Sequence, residues 1–177
     1  MIVFLNGKFV DEEKALISPL DQGFYFGDGV YETMRTVSGK LWQLDKHLLR
    51  MLRSAELINL IIPWPNKQLE TWISQTIDKN KFGESRIRLT ISRGVLNLDF
   101  KKLAEPTLLI RVEALKDEHP DVYFLGVDVG LLMAERFLPE AKTLNMLPLI
   151  LAFQKAQERG FYEMFFVNKK GFVTEGA

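Results

Sequence analysis

The stretch Ala141-Lys142-Thr143-Leu144-Asn145 opens the last third of the chain, and this third, which ends at Val173-Thr174-Glu175-Gly176, decides the fold. After the first stretch the sequence predicts a helix that ends near Gly160, because apolar residues recur at close to helical spacing and Asn145 can cap the helix. Two short strands, 161–167 and 172–175, then follow around a turn. The sequence therefore predicts Lys142 just ahead of a helix and Glu175 at the end of a strand.

The predicted position of Lys142 favours reactivity. The N-terminal end of a helix carries a partial positive charge, which disfavours a further positive charge nearby. A neutral, nucleophilic amine is therefore more accessible at this position, and the turn between the two strands brings Glu175 back beside the layer that carries the lysine. Lys142 becomes a candidate to react with a carbonyl group.

The composition is that of an ordinary soluble globular protein, with 177 residues, 47% of them hydrophobic and 26% charged. Twenty-three basic residues balance 23 acidic ones, which gives no reason to expect nucleic acid or an anionic membrane as a partner. The chain has 0 cysteines, which excludes disulfides, thiolate metal sites and a cysteine nucleophile, and no metal site is predicted. No secretion signal or membrane-spanning stretch is apparent, so we expect a cytoplasmic protein.

The first two thirds of the chain predict mixed helix and strand. Asn6-Gly7 and Ser38-Gly39 are typical of tight hairpin turns. The segment 18–23 is predicted to be a loop, and Asp45 to cap a helix. Three further elements are predicted: a helix over 66–79, a strand over 86–93 with Ile87, Leu89 and Ile91 facing the core, and a strand over 107–114.

These patterns predict an α+β protein with two domains. Residues 1–114 form a small N-terminal domain, and the charged segment 115–121 is interpreted as a linker. Residues 122–177 form the first part of a second domain, which begins with a strand-like segment over 122–133 and contains Lys142 and Glu175.

Five motifs in chain order point to a family. They are Gly27-Asp28-Gly29-Val30-Tyr31-Glu32-Thr33, His47-Leu48-Leu49-Arg50-Met51-Leu52-Arg53-Ser54-Ala55, Ser92-Arg93-Gly94, Lys142-Thr143-Leu144-Asn145 and Val173-Thr174-Glu175-Gly176-Ala177. Together they resemble the class IV aminotransferases. These are the fold type IV pyridoxal-phosphate enzymes: branched-chain aminotransferases, D-amino acid aminotransferases and 4-amino-4-deoxychorismate lyases.

The resemblance implies a fold and a set of ligands. The implied fold is α+β, with a small two-layer N-terminal domain followed by the start of a larger mixed α/β domain. The implied cofactor is pyridoxal 5'-phosphate, and the implied substrates are amino acids and keto acids. The family also implies a homodimer whose subunits build the pocket together.

The resemblance implies roles for individual residues. Lys142 resembles the lysine that holds the cofactor covalently and moves the substrate proton, and Glu175 resembles the carboxylate that keeps the pyridine nitrogen protonated. Arg50 resembles the phosphate anchor, for which a permanently charged fork of donors is well suited. Tyr31 resembles an aromatic residue on the substrate side of the pocket, and His47 is interpreted as structural, at the start of its helix.

Three hypotheses about the reaction stay open from the sequence. The favoured hypothesis is an aminotransferase for apolar or branched-chain amino acids. D-amino acid aminotransferases carry an Arg-x-His trap where this chain has Leu98 and Phe100, which speaks against a D-specific enzyme, and the apolar loop 95–98 suits an apolar substrate side chain. The form Glu32-Thr33-Met34-Arg35 is often found in the lyases, so a lyase that releases pyruvate from aminodeoxychorismate is the alternative. A truncated, non-catalytic α+β protein is the third hypothesis.

The family pattern continues beyond the position of Ala177, through a Ser/Thr-rich turn into further elements that contact the phosphate. We therefore expect either that these residues belong to a longer protein, or that a product ending here binds cofactor weakly or not at all.

Overall fold

A computed structural model describes residues 1–96 and 105–177 of the chain. The chain divides into two compact units. The first comprises Met1–Leu115 together with Glu140–Leu144, and the second comprises Lys116–Pro139 and Asn145–Ala177. The domain limits 1–114, 115–121 and 122–177 stay a prediction for the protein, but the segment that carries Lys142 lies with the first unit, whereas the sequence analysis placed it with the second.

The first unit is built on a six-stranded sheet with the strand order β2-β1-β6-β5-β3-β4. Its strands are β1 (Ile2–Leu5), β2 (Lys8–Asp11), β3 (Gly29–Val37), β4 (Lys40–Leu41), β5 (Ser85–Ser92) and β6 (Thr107–Ala114), and its helices are α1 (Gln22–Phe26), α2 (Leu44–Leu57) and α3 (Asn66–Asn80). Each neighbouring pair of strands in this sheet is antiparallel. The predicted helix over 66–79 and strands over 86–93 and 107–114 are confirmed to within one residue at each end.

Both predicted hairpin turns are confirmed. Asn6 and Gly7 have φ angles of 46° and 88°, and they join β1 to β2 with Leu5 paired to Lys8. Ser38 and Gly39 have φ angles of 52° and 72° between β3 and β4. Two successive positive φ angles are what a type I′ turn requires.

The core of the first unit lies between one face of the sheet and helices α2 and α3. As predicted, Ile87, Leu89 and Ile91 of β5 face this core and are fully buried. The helices contribute a set of apolar residues at helical spacing, and the buried members are Leu48, Met51 and Ala55 of α2 and Leu69 and Ile73 of α3.

Two local predictions for the first unit are wrong. Asp45 does not cap α2; it lies in the first turn, and the N-cap is Gln43 in the left-handed conformation. The predicted loop over 18–23 leads into the short helix α1, because the side chain of Asp21 accepts a hydrogen bond from the backbone N–H of Gly23 at 2.8 Å. A five-residue helix is too short to leave a periodic signal in the sequence.

The second unit contains a three-stranded sheet with the order β7-β8-β9. Its elements are α4 (Pro120–Phe124), β7 (Val129–Met133), α5 (Leu147–Glu158), β8 (Glu163–Val167) and β9 (Val173–Gly176). Strand β8 is parallel to β7 and antiparallel to β9. Its core is formed by α5 and β8, through the buried residues Leu149, Ala152, Ala156, Met164 and Phe166.

The structure corrects the predicted strand over 122–133. Helix α4 spans the boundary between the predicted linker and this strand, and the strand begins only at Val129. Pro120 occupies the first turn of α4, where a missing N–H costs no hydrogen bond, and His119 caps this helix by accepting from the N–H of Asp121. The helix after Lys142 is confirmed, but its N-cap is Met146 and not Asn145.

No helix within residues 1–96 and 105–177 is both long and apolar enough to cross a membrane.

Gly29 at the start of β3 provides a test of how closely β3 and β5 pack. A Cβ atom at this position would lie 2.5 Å from the carbonyl oxygen of Ile91 and 2.8 Å from the Cα of Ser92. We expect Gly29→Ala to lower the free energy of unfolding by roughly 1–3 kcal/mol, as overpacking does elsewhere. Urea unfolding measures this change, and Gly83→Ala, which has no atom within 4 Å of the added carbon, is the control. Equal stability of the two variants would contradict the packing argument.

Candidate functional site

Backbone hydrogen bonds hold Lys142 against the first unit. The N–H of Tyr31 donates to the carbonyl oxygen of Lys142 at 3.0 Å, and the N–H of Leu144 donates to the carbonyl oxygen of Gly29 at 3.0 Å. The N–H of Lys142 donates to the hydroxyl of Ser54, a fully buried residue of α2, at 3.0 Å. Strand β3 and helix α2 therefore both fix the backbone of Lys142.

The side chain of Lys142 lies beside the ring of Tyr31. Its Nζ atom is 4.5 Å from the ring centroid, and the guanidinium carbon of Arg88 is 4.0 Å from the same centroid. Both distances are within the range of cation–π attraction. Lys142 is half-buried and forms no ion pair with the described residues. Its amine is thus held next to an aromatic ring without a carboxylate to occupy it.

Arg88 is a site residue that the sequence analysis missed. It follows the core residue Ile87 on β5, so alternation along the strand places it on the opposite face of the sheet. Strand register then pairs Arg88 with Thr33 and Thr90 with Tyr31, which makes Arg88 a diagonal neighbour of Tyr31. Burial lowers the pKa of Arg88, although the guanidinium stays charged near neutral pH. The alternating pattern of β5 indicated the face, but only the strand pairing identified the neighbour.

Arg50 is anchored to a buried carboxylate. Its Nε donates to Oε1 of Glu32 at 2.6 Å, and its Nη2 donates to Oε2 at 2.5 Å. Nδ1 of His47 lies 2.9 Å from the same Oε2, and Glu32 is 0% exposed. The hydrogen bonds to Glu32 raise the pKa of Arg50. The sequence predicts a structural role for His47 and no role for Glu32, because burial of a glutamate cannot be read from its charge.

Arg50 keeps part of its donor capacity available. Its side chain is 51% exposed, and Nη1 has no acceptor in the part of the chain that the structure describes. A guanidinium offers five N–H donors, of which Glu32 takes two. An exposed edge of this kind suits an anion such as a phosphate group.

A cavity of about 380 Å³ lies in the first unit beside α1. Its walls include Asp21, Ser92, Thr107, Leu109 and Leu144. The Asp21 carboxylate accepts hydrogen bonds from the hydroxyls of Ser92 at 2.9 Å and Thr107 at 2.6 Å. These three polar groups in the wall of the cavity therefore bond to one another. Lys142, Tyr31 and Arg50 are not among the described residues that line it.

The amino-transferase class IV family matches residues 29–177 of this chain. A putative branched-chain-amino-acid aminotransferase of Methanocaldococcus jannaschii is 35% identical over 181 residues, which cover 99% of this chain and 62% of that protein. A D-alanine aminotransferase of Staphylococcus epidermidis is 32% identical over 178 residues, which cover 99% of this chain and 63% of that protein. The crystal structure of a branched-chain aminotransferase from Thermoproteus uzoniensis with norvaline gives a TM-score of 0.86 at 28% identity, covering 99% of this chain and 62% of that one.

The chain belongs to the amino-transferase class IV family. The resemblance found in the five motifs is therefore confirmed, and so is the prediction of a fold type IV architecture that combines helices and strands. This class IV chain spans 62–63% of the length of the two curated relatives described above.

The second unit of the class IV chain contains Glu175. Nε of Arg136 donates to its two carboxylate oxygens at 2.8 and 2.9 Å, and only 12% of the Arg136 side chain is exposed. Arg136 is a second residue that the sequence analysis missed, because nothing in the irregular stretch around it indicated a partner 39 residues away. The positively charged guanidinium of Arg136 is therefore in direct contact with the Glu175 carboxylate.

The structure brings together only part of the predicted set. Lys142 and Tyr31 are in contact, and Arg50 lies one helical turn before Ser54, the residue that binds the backbone of Lys142. Glu175 belongs to the other unit. Leu98 and Phe100, which bear on the choice of substrate, lie outside the described residues.

Ser54 tests how Lys142 is fixed. We expect Ser54→Ala to lower the free energy of unfolding by about 1–3 kcal/mol, since a partly buried N–H loses its acceptor. Ser74→Ala is a matched control, because Ser74 is a half-buried serine of α3 whose hydroxyl bonds to no other described residue. Urea unfolding of both variants measures the difference in the free energy of unfolding. A Ser54→Ala variant as stable as its control would show that the hydrogen bond from Lys142 to Ser54 does not stabilise this segment.

Proposed function

We propose that this chain carries the lysine and the phosphate anchor of a pyridoxal-phosphate-dependent aminotransferase, which moves an amino group between an amino acid and a 2-keto acid. The observation that carries the proposal is the position of Lys142, whose amine lies over the ring of Tyr31 with no ion-pair partner among the described residues. Membership of the class IV family and the aminotransferase names of the relatives support the same reaction.

The residues of the first unit fit the two ends of pyridoxal phosphate. Arg50 has an outward guanidinium edge for the phosphate, and Lys142 has an available amine for the aldehyde. When bound, the cofactor supplies an aldehyde and a pyridinium ring that withdraws electrons from the substrate. The charges of these side chains are therefore of the kind that this cofactor needs.

Lys142 has two tasks in the proposed reaction. Its Nζ would hold the cofactor through the aldehyde, and a free, neutral Nζ would be placed to accept the proton from the substrate Cα. The fixed backbone of residues 140–144 limits the arc through which Nζ can move. Positioning of this kind accounts for a large part of the rate in such transfers.

Glu175, Tyr31 and Arg88 complete the proposed roles. We assign Glu175 to the pyridine nitrogen from its family motif, and the bifurcated hydrogen bond from Nε of Arg136 supports an orienting partner for its carboxylate. Tyr31 provides an aromatic wall for the substrate, and the neighbouring charge of Arg88 suits a carboxylate of an amino acid or keto acid.

We propose an apolar or branched-chain amino acid as the donor. Leu98 and Phe100 replace the Arg-x-His pair of the D-specific enzymes in the sequence. A branched-chain name among the relatives supports this choice, although a D-alanine aminotransferase is also similar to this chain. The stereochemistry of the donor separates these two substrates in a direct assay.

Lys142→Ala tests the proposed covalent attachment. In the protein expressed from its complete reading frame and supplied with pyridoxal phosphate, borohydride reduction followed by mass spectrometry should find a pyridoxyl group on Lys142. Lys142→Ala should lose both the adduct and amino transfer, whereas the control Lys46→Ala should keep both, since Lys46 is exposed and belongs to no described ion pair. An adduct on another lysine, or full activity of Lys142→Ala, would overturn the proposal.

The same protein distinguishes the reaction types. Amino transfer that depends on a 2-keto acid supports the aminotransferase, and pyruvate release from aminodeoxychorismate without a keto acid supports the lyase. A protein that binds no cofactor and catalyses neither reaction would support the non-catalytic hypothesis.

We also propose that the protein is a homodimer. The segment 16–26 of the first unit exposes several large apolar side chains: Leu16 (84%), Leu20 (51%), Phe24 (78%), Tyr25 (60%) and Phe26 (59%). Such clusters are uncommon on monomeric soluble proteins and are typical of interfaces. The family resemblance supports a second copy of the chain as the partner, and a cytoplasmic location stays a prediction that cell fractionation can test.

Phe24→Asp tests the dimer. A charge in an apolar interface is costly, so the variant should elute at the monomer mass in size-exclusion chromatography with light scattering, while the wild type elutes as a dimer. Trp42→Asp is the control, since Trp42 is 54% exposed outside this segment. A wild-type protein that is monomeric at micromolar concentration, or a dimeric Phe24→Asp variant, would contradict the proposal.

A further inference from the structure

Glu32 is a buried charge that the proposed reaction does not use. It is 0% exposed, and its carboxylate binds two cationic or titratable side chains, Arg50 and His47. Burying a carboxylate is costly unless it is well paired, so the pairing with Arg50 and His47 is what allows Glu32 to be buried. Its partner Arg50 is the residue assigned to the phosphate.

The alternation of side chains along β3 places Tyr31 and Glu32 on opposite faces of the sheet. Tyr31 lies on the face of β3 that carries Arg88 and contacts the Lys142 amine, while the next residue, Glu32, projects to the face covered by α2 and reaches Arg50. The carboxylate therefore approaches Arg50 from the sheet, at a position that the rigid pairing of β3 with β5 sets.

The hydrogen bonds to Glu32 fix one edge of the Arg50 guanidinium. Nε and Nη2 on that edge both donate to the carboxylate, so the group cannot rotate about its long axis without losing both bonds. The other edge, which includes Nη1, points away from Glu32 and has no acceptor in the described chain. A planar fork held on one side presents its second side in a single orientation.

We propose that Glu32 is the positioning residue of the phosphate site: it locks the Arg50 guanidinium from one side so that the opposite edge binds the phosphate monoester of the cofactor. This inference rests on the proposed function, because it takes the anion at Arg50 to be that phosphate. Glu32 does not touch the cofactor; it acts through Arg50, and His47 completes the pairing of the carboxylate.

Two effects of Glu32 on phosphate affinity oppose each other. Its negative charge weakens the attraction that Arg50 exerts on an anion. Its hydrogen bonds act in the other direction, because they hold the Arg50 side chain in one conformation before the anion binds and so reduce the conformational entropy lost on binding. Glu32→Asp separates them, because it keeps the charge but shortens the side chain by one methylene. Only the positioning role predicts a loss of affinity for this variant.

The experiment compares two ligands that differ by the phosphate alone. Affinities of the cofactor-free protein, expressed from its complete reading frame, are measured for pyridoxal phosphate and for pyridoxal by quenching of tryptophan fluorescence. We expect Glu32→Asp to weaken pyridoxal phosphate about 10-fold, the lower end of the effect of outer-shell partners at metal sites, and to leave pyridoxal within about 2-fold. Glu32→Gln serves as a second variant should Glu32→Asp fold poorly. It also removes the negative charge, which by itself would tighten the binding of an anion, so weaker binding of pyridoxal phosphate by this variant would show that the positioning effect outweighs the charge effect.

Two controls identify the route of the effect. Glu113→Gln removes a different carboxylate that pairs with arginines, Arg111 and Arg86, and should change neither affinity. In an Arg50→Lys background, which lacks the fork, Glu32→Asp should cause no further loss of pyridoxal phosphate affinity. Additive losses in that background would overturn the inference.

The outcomes separate this inference from the proposed function. Equal weakening of both ligands by the Glu32 variants would show a general structural role and refute the positioning role. Unchanged or tighter binding of pyridoxal phosphate would refute it as well. If the wild type binds pyridoxal phosphate no better than pyridoxal, or binds neither, the proposed function fails first and the role of Glu32 fails with it.

Discussion

The backbone pairing between residues 140–144 and the start of β3 is the constraint on which the candidate site depends. The residues before and after this segment in sequence belong to the second unit. Two hydrogen bonds to β3 and one to Ser54 nevertheless hold the segment itself in the first unit. Because backbone groups make these contacts, the path of the segment is fixed independently of its side chains. The Lys142 side chain is left free of hydrogen bonds within the described chain and available for chemistry.

Strand β3 also carries the two side chains that contact Lys142 and Arg50, which are Tyr31 and Glu32. A β-strand projects successive side chains to opposite faces, so Tyr31 and Glu32 lie on opposite faces of the sheet although they are adjacent in sequence. The positive groups of Lys142 and Arg88 both lie over the ring of Tyr31, and the carboxylate of Glu32 binds Arg50. Both positions follow from the register of β3 with β5, and the two strands approach closely at Gly29.

Much of this could be predicted from residue patterns. The hairpins at Asn6-Gly7 and Ser38-Gly39 follow from residues that accept positive φ angles, and β5 follows from strict alternation. The motifs around Lys142 and Arg50 identified the family. Prediction failed where a local contact overrode the pattern: Asp21 starts α1 within a predicted loop, and Pro120 starts α4 within a predicted linker.

By itself the sequence determined the class of the fold, because turn chemistry and hydrophobic period are properties of neighbouring residues, and its family motifs made Lys142 and Arg50 candidates for the site. The tertiary structure alone decided that Glu32 is buried beneath Arg50, that Arg88 lies against the ring of Tyr31, and that Arg136 pairs with Glu175. Each of these contacts joins residues far apart in the chain. Their meeting depends on strand register and packing, which no local pattern encodes.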